Sequence, residues 1–193
     1  MGVANTETTR KPRADALRNR ERVLAAAKAV FSAGGAEASL EAVARRAGVG
    51  IGTLYRHFPT RESLVDAVYR TETQRLCDAA RDLVSELPPV DALRAWALGF
   101  LDYMATKEGM ADVLHTVLTA DEGLRLDTRA RIYDALTLLV EAGQRSGELR
   151  ADLDIPDVVL ALGGFALILD RQPAAQDTGR RLFDLLLNGL ANA

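Results

Sequence analysis

The sequence predicts an all-α protein in two parts, a small three-helix unit followed by a larger helical domain, with nine or ten helices in total. Three observations carry that expectation. No segment alternates apolar and polar residues with the period of two that a half-buried strand needs. Apolar residues instead recur three and four apart in the stretches between proline and glycine turns. The composition agrees, since 48% of residues are hydrophobic but only 5% are aromatic, as Ala- and Leu-rich helices require. A chain of 193 residues is long enough for a small unit at 13–60 and a larger one with its own core at 61–193.

Residues 1–12 (MGVANTETTRKP) lack periodicity and are expected to form a disordered basic arm. The first helix then sets Val23, Leu24, Ala27, Val30 and Phe31 on one face and ends near Gly34-Gly35. In the second, short helix the apolar positions are Leu40, Val43, Ala44 and Ala47. Ser39 can cap its N-terminus with a hydroxyl, and Gly48 ends it, because glycine accepts the left-handed backbone of a C′ position. A third helix follows three residues on, with Leu54 and Phe58 at i and i+4 on one face and Thr53, Tyr55, Arg56 and His57 on the other. Pro59 closes it. The fourth helix starts at Thr60, a second hydroxyl cap, with Glu62 and Ser63 in its first turn. Its apolar positions run through Leu64, Val65, Val68, Leu76 and Leu83 to Pro88-Pro89, which makes it the natural strut between the two parts.

Beyond the proline pair the pattern stays helical. One helix spans Ala92 to Thr106, a short one Met110 to Leu118, and a long amphipathic one Leu126 to Arg145 with Ile132, Leu136, Leu139 and Val140 buried. Gly147 to Asp157 reads as a loop whose aspartates can cap the next helix. Val158 to Leu169 is apolar all round and must be surrounded by protein. A last helix, Thr178 to Leu190, carries Leu182, Phe183, Leu186, Leu187 and Leu190. The longest apolar run is too short for a bilayer, which takes roughly 20 residues, and residues 1–22 are polar and basic rather than a signal peptide. A cytoplasmic protein with no membrane partner is expected.

The formal charge of −3 hides an asymmetry. Residues 1–61 hold eleven Lys and Arg against five Asp and Glu, whereas the remaining 132 hold thirteen against twenty-two. A basic N-terminal module on an acidic body is the electrostatic pattern of a nucleic-acid binder whose second part does something else. Single Cys77 cannot form an intramolecular disulfide. No Ser-His-Asp or Cys-His set, metal-ligand spacing or phosphate-binding glycine loop points to an enzyme, a metal or a cofactor. His115 is no metal site by itself, because the other histidine lies in the third helix.

Two short helices joined by a tight glycine turn, the second with a polar and aromatic exposed face, describe a helix-turn-helix whose second helix enters the DNA major groove. Gly52-Thr53-Leu54-Tyr55-Arg56-His57-Phe58-Pro59, followed by Arg61-Glu62-Ser63-Leu64, resembles the signature of the TetR family of transcriptional repressors. The likeness covers about sixty residues, from the Arg22-to-Phe31 helix through Val68. Four residues match positions that generally hold the DNA backbone in that family: Thr53, Tyr55, His57 and Arg61. Their hydroxyl, phenol, imidazole and guanidinium groups can all donate to phosphate oxygens. Ile51 and Gly52 open the recognition helix and are expected at base edges, isoleucine against a thymine methyl. Arg56 can pair with guanine or clamp a phosphate; the sequence leaves both open. Of Arg45 and Arg46, one is expected on phosphate and the other in solvent. Arg10, Lys11 and Arg13 can reach the minor groove or stay free. Two departures stand out. Gly50 replaces the Ser or Thr often found at the recognition-helix cap, and Glu41 stands where some relatives place a base-contacting arginine.

One such module reads one half-site, so specific binding to a palindromic or pseudo-palindromic double-stranded operator calls for a homodimer. The Leu126–Arg145 helix and the C-terminal helix carry more apolar surface than one core needs, and Ala135, Leu138, Ala142, Leu185 and Leu190 are the candidate interface. The resemblance also implies a pocket for a small-molecule effector, with Trp96, Phe100, Tyr103, Met104, Met110, His115 and Phe165 as candidate lining. Core filling accounts for the same side chains. The paired Gly163-Gly164 within an apolar helix suggests either close helix approach or room for a ligand, since each interior glycine costs about 1 kcal/mol against alanine. The function expected is therefore a repressor released by a largely apolar effector. The alternatives are an activator, or a regulator whose second part only dimerises or docks a protein.

Overall fold

The computed structural model describes residues 10–34, 39–169 and 175–191, with side chains described for 15–33, 39–165 and 181–191. Among the described residues there are nine helices: α1 (Arg10–Gly34), α2 (Leu40–Ala47), α3 (Ile51–His57), α4 (Arg61–Glu86), α5 (Pro89–Glu108), α6 (Ala111–Ala120), α7 (Glu122–Ser146), α8 (Ile155–Leu169) and α9 (Ala175–Leu190). The extended pairing they contain is an isolated antiparallel bridge between Leu149 and Ala191. The expected disorder of residues 1–9 lies outside the described residues. Residues 10–12, expected in the same arm, belong to α1 instead. Pro12 is no obstacle there, because the first turn of a helix has no intrahelical use for its N–H.

Helix α4 is the axis of the molecule. Its N-terminus is closed by a reciprocal cap in which the Ser63 amide donates to Thr60 Oγ1 and the Thr60 amide donates to Ser63 Oγ, both at 3.1 Å. From there Leu64, Val65, Val68, Tyr69, Leu76 and Ala80 are buried in succession, so the helix packs on α1 at one end and on α5, α6 and α7 along its length. One continuous hydrophobic cluster results, running from Val23 in α1 to Leu190 in α9.

Prolines set the next boundary. Leu87, the residue before Pro88, is extended at φ −125° and ψ 155°, and Pro89 occupies the first turn of α5. This starts α5 before the expected Ala92. Similarly, α7 begins ahead of Leu126 because Asp121 Oδ1 accepts the Leu124 amide at 2.9 Å and caps the helix there. Gly147, with φ 78°, ends α7. Leu149 is then buried, and the Arg150 amide donates to the Leu190 carbonyl at 3.0 Å, tying the loop to the end of α9.

The α5–α6 corner seats the small unit on the larger one. A Cβ at Gly109 would collide with the carbonyl of Phe31, so α1 and the corner touch backbone to backbone. Beside it Ser32 Oγ and Thr106 Oγ1 lie 3.0 Å apart, and Lys28 Nζ donates to Glu72 Oε2 at 2.6 Å.

Candidate nucleic-acid interface

Each part of the helix-turn-helix follows from a local sequence feature. Ser39 Oγ accepts the Ala42 amide at 3.1 Å and starts α2. Gly48 ends it in the left-handed region at φ 63° and ψ 37°, with its N–H directed to the Ala44 and Arg45 carbonyls. Gly50 is the N-cap of α3 and brings no side-chain bond; its carbonyl accepts the amides of Thr53 at 2.9 Å and Leu54 at 3.2 Å. Fully buried Leu54 and the nearly buried Phe58 anchor α3 from beneath.

The opposite side of α3 is open. Ile51 is 39% exposed and Tyr55 44%, and Gly52 and Arg56 are exposed beside them. Thr53 and His57 are half-buried on the flanks of the same face. Arg45 and Arg46 are both exposed at the end of α2, near the negative pole of that helix, and Glu41 is exposed in its first turn. Of the nine residues expected at DNA, these eight are at or beside one open surface.

Arg61 is placed differently from these eight. Its guanidinium turns inward, 6.0 Å from the centre of the Phe31 ring and 3.8 Å from Asp112 Oδ2 on α6. Nε and one terminal nitrogen are sealed from solvent without a hydrogen bond. The first turn of α4 is wedged between α1 and α6, and there the ring face and the carboxylate attract the cation.

Two arginines on α1 were not singled out from the sequence as site residues. Arg20 is exposed with its guanidinium 5.4 Å from the centre of the Phe58 ring, at the C-terminal end of α3. Arg22 donates to the Ala47 and Gly48 carbonyls in the turn. The alternating Arg18, Arg20 and Arg22 were the available signal.

In the larger domain the expected pocket residues divide. Trp96, Phe100, Tyr103 and Met110 are buried, Met104 and Phe165 are half-buried, and His115 is exposed on α6. His115 therefore does not join the others. Trp96 and Phe100 stack with centroids 5.7 Å apart, Tyr103 follows at 6.2 Å, and the indole N–H of Trp96 donates to the Leu76 carbonyl at 2.9 Å. Burial pushes the Tyr103 phenol well above its usual range, and the neighbouring Tyr69 adds to the effect. Trp96 and Tyr103 border a depression of about 160 Å³ among α1, α4 and α5, whose lining includes Lys28, Glu72 and Arg75. A second depression, about 260 Å³, lies between α4 and α7 and includes Cys77, Arg131 and Leu138. Among the described residues a Cβ at Gly163 or Gly164 would touch nothing.

The interface candidates also divide. Ala135 and Leu190 are buried within their own chain, so they have no surface to offer a partner. Leu138 and Ala142 are half-buried on α7, which is packed against α4 and α5. Leu185 on α9 is 68% exposed, and Leu160 on α8, which was not anticipated, is 76% exposed. Among the described residues the most open leucines are thus Leu160 on α8 and Leu185 on α9, and α7 keeps Leu126 57% exposed in its N-terminal part. No helix among the described residues is long and apolar enough to cross a membrane.

Residues 23–68 match the model of bacterial regulatory proteins of the tetR family, and residues 88–192 match that of the C-terminal domain of SbtR-like transcriptional regulators. The TetR transcriptional regulator SCO0520 from Streptomyces coelicolor superimposes with a TM-score of 0.81 at 47% identity, covering 90% of this chain and 99% of that one. A TetR transcription regulatory protein from Mycobacterium vanbaalenii does so with a TM-score of 0.74 at 34% identity, covering 93% and 99%. The HTH-type transcriptional repressor KstR of Mycolicibacterium smegmatis is 45% identical over 64 residues, 33% of this chain and 31% of that repressor. The chain thus spans less than a third of KstR in that match. These families and relatives are transcriptional regulators, not enzymes.

Proposed function

The chain belongs to the TetR family of DNA-binding transcriptional regulators, and on that footing we propose that it is a repressor which binds its operator as a homodimer and is released by a small, largely apolar effector. The observation that carries the proposal is the open face of α3, where Ile51, Gly52, Tyr55 and Arg56 point away from a helix anchored by Leu54 and Phe58. Tyr55, Thr53 and His57 offer phosphate donors that fix register, while Ile51 and Gly52 approach base edges. Arg56 has the reach for guanine O6 and N7, and Arg45 and Arg46 supply charge beside the groove.

A palindromic or pseudo-palindromic operator needs two such helices about 34 Å apart along the duplex. The exposed leucines of α8 and α9 favour a two-fold interface built from those helices, self-complementary because each copy presents the same patch. Effector control is supported by the junction between the two parts. Phe31 against Gly109, Ser32 beside Thr106, Lys28 on Glu72 and Arg61 near Asp112 make any shift of α5 or α6 felt by α1 and α4. An effector acts only by preferring one spacing of the recognition helices over another. Repression is favoured by the likeness of the DNA-binding part to KstR, a repressor by name.

Selection of DNA sites from a random pool by the purified chain tests the whole reading. A two-fold symmetric consensus is expected, with retardation of that duplex lost when the effector is added. An asymmetric single half-site would remove the dimer, and retention of binding across a panel of apolar small molecules would remove effector control.

A further inference from the structure

We propose that Arg22 is a positioning residue for DNA recognition: from α1 it braces the turn between α2 and α3 and so sets the angle at which the recognition helix is presented. The proposal rests on α3 being the DNA-reading helix. One terminal nitrogen of the guanidinium donates to the Ala47 carbonyl at 2.5 Å and to the Gly48 carbonyl at 3.1 Å. The other donates to Asn19 Oδ1 at 3.3 Å, one turn back along α1, which steadies the fork from behind.

Physical chemistry explains why a cation sits there. The last turn of a helix leaves carbonyls without intrahelical donors, and the helix dipole makes that end negative. Backbone amides of the turn serve part of the set, Gly48 donating to the Arg45 carbonyl and Val49 to the Ala44 carbonyl. The carbonyls of Ala47 and Gly48 take Arg22, and hydrogen bonds from an ionised donor are roughly twice as strong as neutral ones. Gly48 makes the approach possible, since a Cβ there would lie 2.8 Å from the same guanidinium nitrogen. Glycine at this position thus serves both the left-handed backbone and the brace. Because the partners are 25 and 26 residues apart in the chain, the contact fixes α1 against the turn and not merely α2 against itself. The turn is followed directly by Gly50 and α3, so movement of these carbonyls is passed to Ile51, Gly52 and Tyr55. A nitrogen engaged in this way is not available to phosphate without releasing the brace.

The test uses the full chain, a duplex that it has selected from a random pool, and an unrelated duplex of equal length. Arg22→Ala is expected to weaken binding to the selected duplex about tenfold, with the unrelated duplex changed by less than about twofold. The slope of log affinity against log salt is expected to stay at the wild-type value, because no phosphate contact is lost. Arg22→Lys keeps the charge without the fork and is expected to lose discrimination to an intermediate degree at the same slope. A slope shallower by about one unit, with both affinities falling together, would make Arg22 a phosphate ligand and overturn the proposal. Wild-type discrimination in both variants would also overturn it. Should Arg22→Ala fail to fold, Arg22→Lys decides: partial loss of discrimination supports the brace, and full discrimination refutes it. A wild-type chain that selects no duplex fails earlier, at the assignment of α3 itself.

Discussion

Tyr55 and Arg61 lie close together in the chain, both with groups that can hold a phosphate, yet their side chains go opposite ways. Tyr55 keeps 44% of its surface open on the outer face of α3. Tyr55→Ala is therefore expected to weaken binding to every duplex by about tenfold or more, the cost of one hydrogen bond to a charged acceptor, while the selected sequence stays the same. Gel shifts with matched and mismatched duplexes measure both quantities. Arg61 instead lies over Phe31 and near Asp112. For Arg61→Ala the salt slope is expected to match wild type, where loss of a phosphate contact would lower it by about one unit. The cost appears in folding, about 0.5–1 kcal/mol from the lost ring contact, read from the urea midpoint. Cys77 gives a third residue-scale expectation. Burial raises its thiol above the ordinary range, with smaller contributions of both signs from Arg131 and Asp78. Since the thiolate is the nucleophile, iodoacetamide at neutral pH should modify folded Cys77 more slowly than the same cysteine in the urea-unfolded chain. Equal rates would mean that the thiol is not desolvated.

Helices α2, α3 and α4 were legible from single residues, because Ser39, Gly48, Pro59 and Thr60 each impose a backbone conformation or a cap that acts locally. The boundaries of α5 and α7 were less so. Pro89 can start a helix as readily as it can end one, and the capping role of Asp121 shows only when its carboxylate is seen on the Leu124 amide. The α1–α5 junction was not legible at all. Gly109 looks like any helix-ending glycine, yet its missing side chain is what lets the α5–α6 corner rest on the Phe31 carbonyl. Gly109→Ala must force α1 and the corner apart, and a loss of about 1–3 kcal/mol is expected from overpacking. Urea unfolding measures it; a midpoint equal to wild type would show that the two parts separate without penalty. Because the same junction carries Ser32 and Thr106, a Gly109→Ala chain that still folds should also bind the selected duplex less tightly, with α3 itself untouched.

On the scale of the whole molecule, charge and apolar surface are segregated. The basic excess belongs to residues 1–61, the part of the sequence that holds the helix-turn-helix, and the acidic excess to the remainder. Long-range attraction therefore favours approach of DNA from one end only. The apolar patch is elsewhere, on α8 and α9, with Leu160 and Leu185 most open. Leu160→Glu and Leu185→Glu each place a carboxylate in the proposed two-fold interface, where an unpaired buried charge costs several kcal/mol. Light scattering should then give the mass of one chain instead of two, and binding to a two-half-site duplex should fall although every α3 residue is intact. Leu138→Glu on α7 serves as the comparison, since it perturbs the α4–α7 contact of one chain and leaves the patch alone. A chain that stays dimeric with Glu at both 160 and 185 would move the interface to other helices.

The sequence by itself determined the helical class, the helix-turn-helix and the outward set of Ile51, Gly52, Tyr55 and Arg56, because these depend on spacing, caps and turn residues within a few positions of one another. Which way a side chain turns when two helices compete for it is not a local property. Only the tertiary structure decided that Arg61 faces Phe31 and α6, that Arg22 reaches across to the turn after α2, and that Ala135 on α7 is covered while Leu160 on α8 and Leu185 on α9 stay open. Periodicity shows that a helix has an apolar face, but whether that face meets its own chain or another depends on how much surface the neighbouring helices cover. That area is a sum over contacts distant in sequence, and it exists only once the chain has folded.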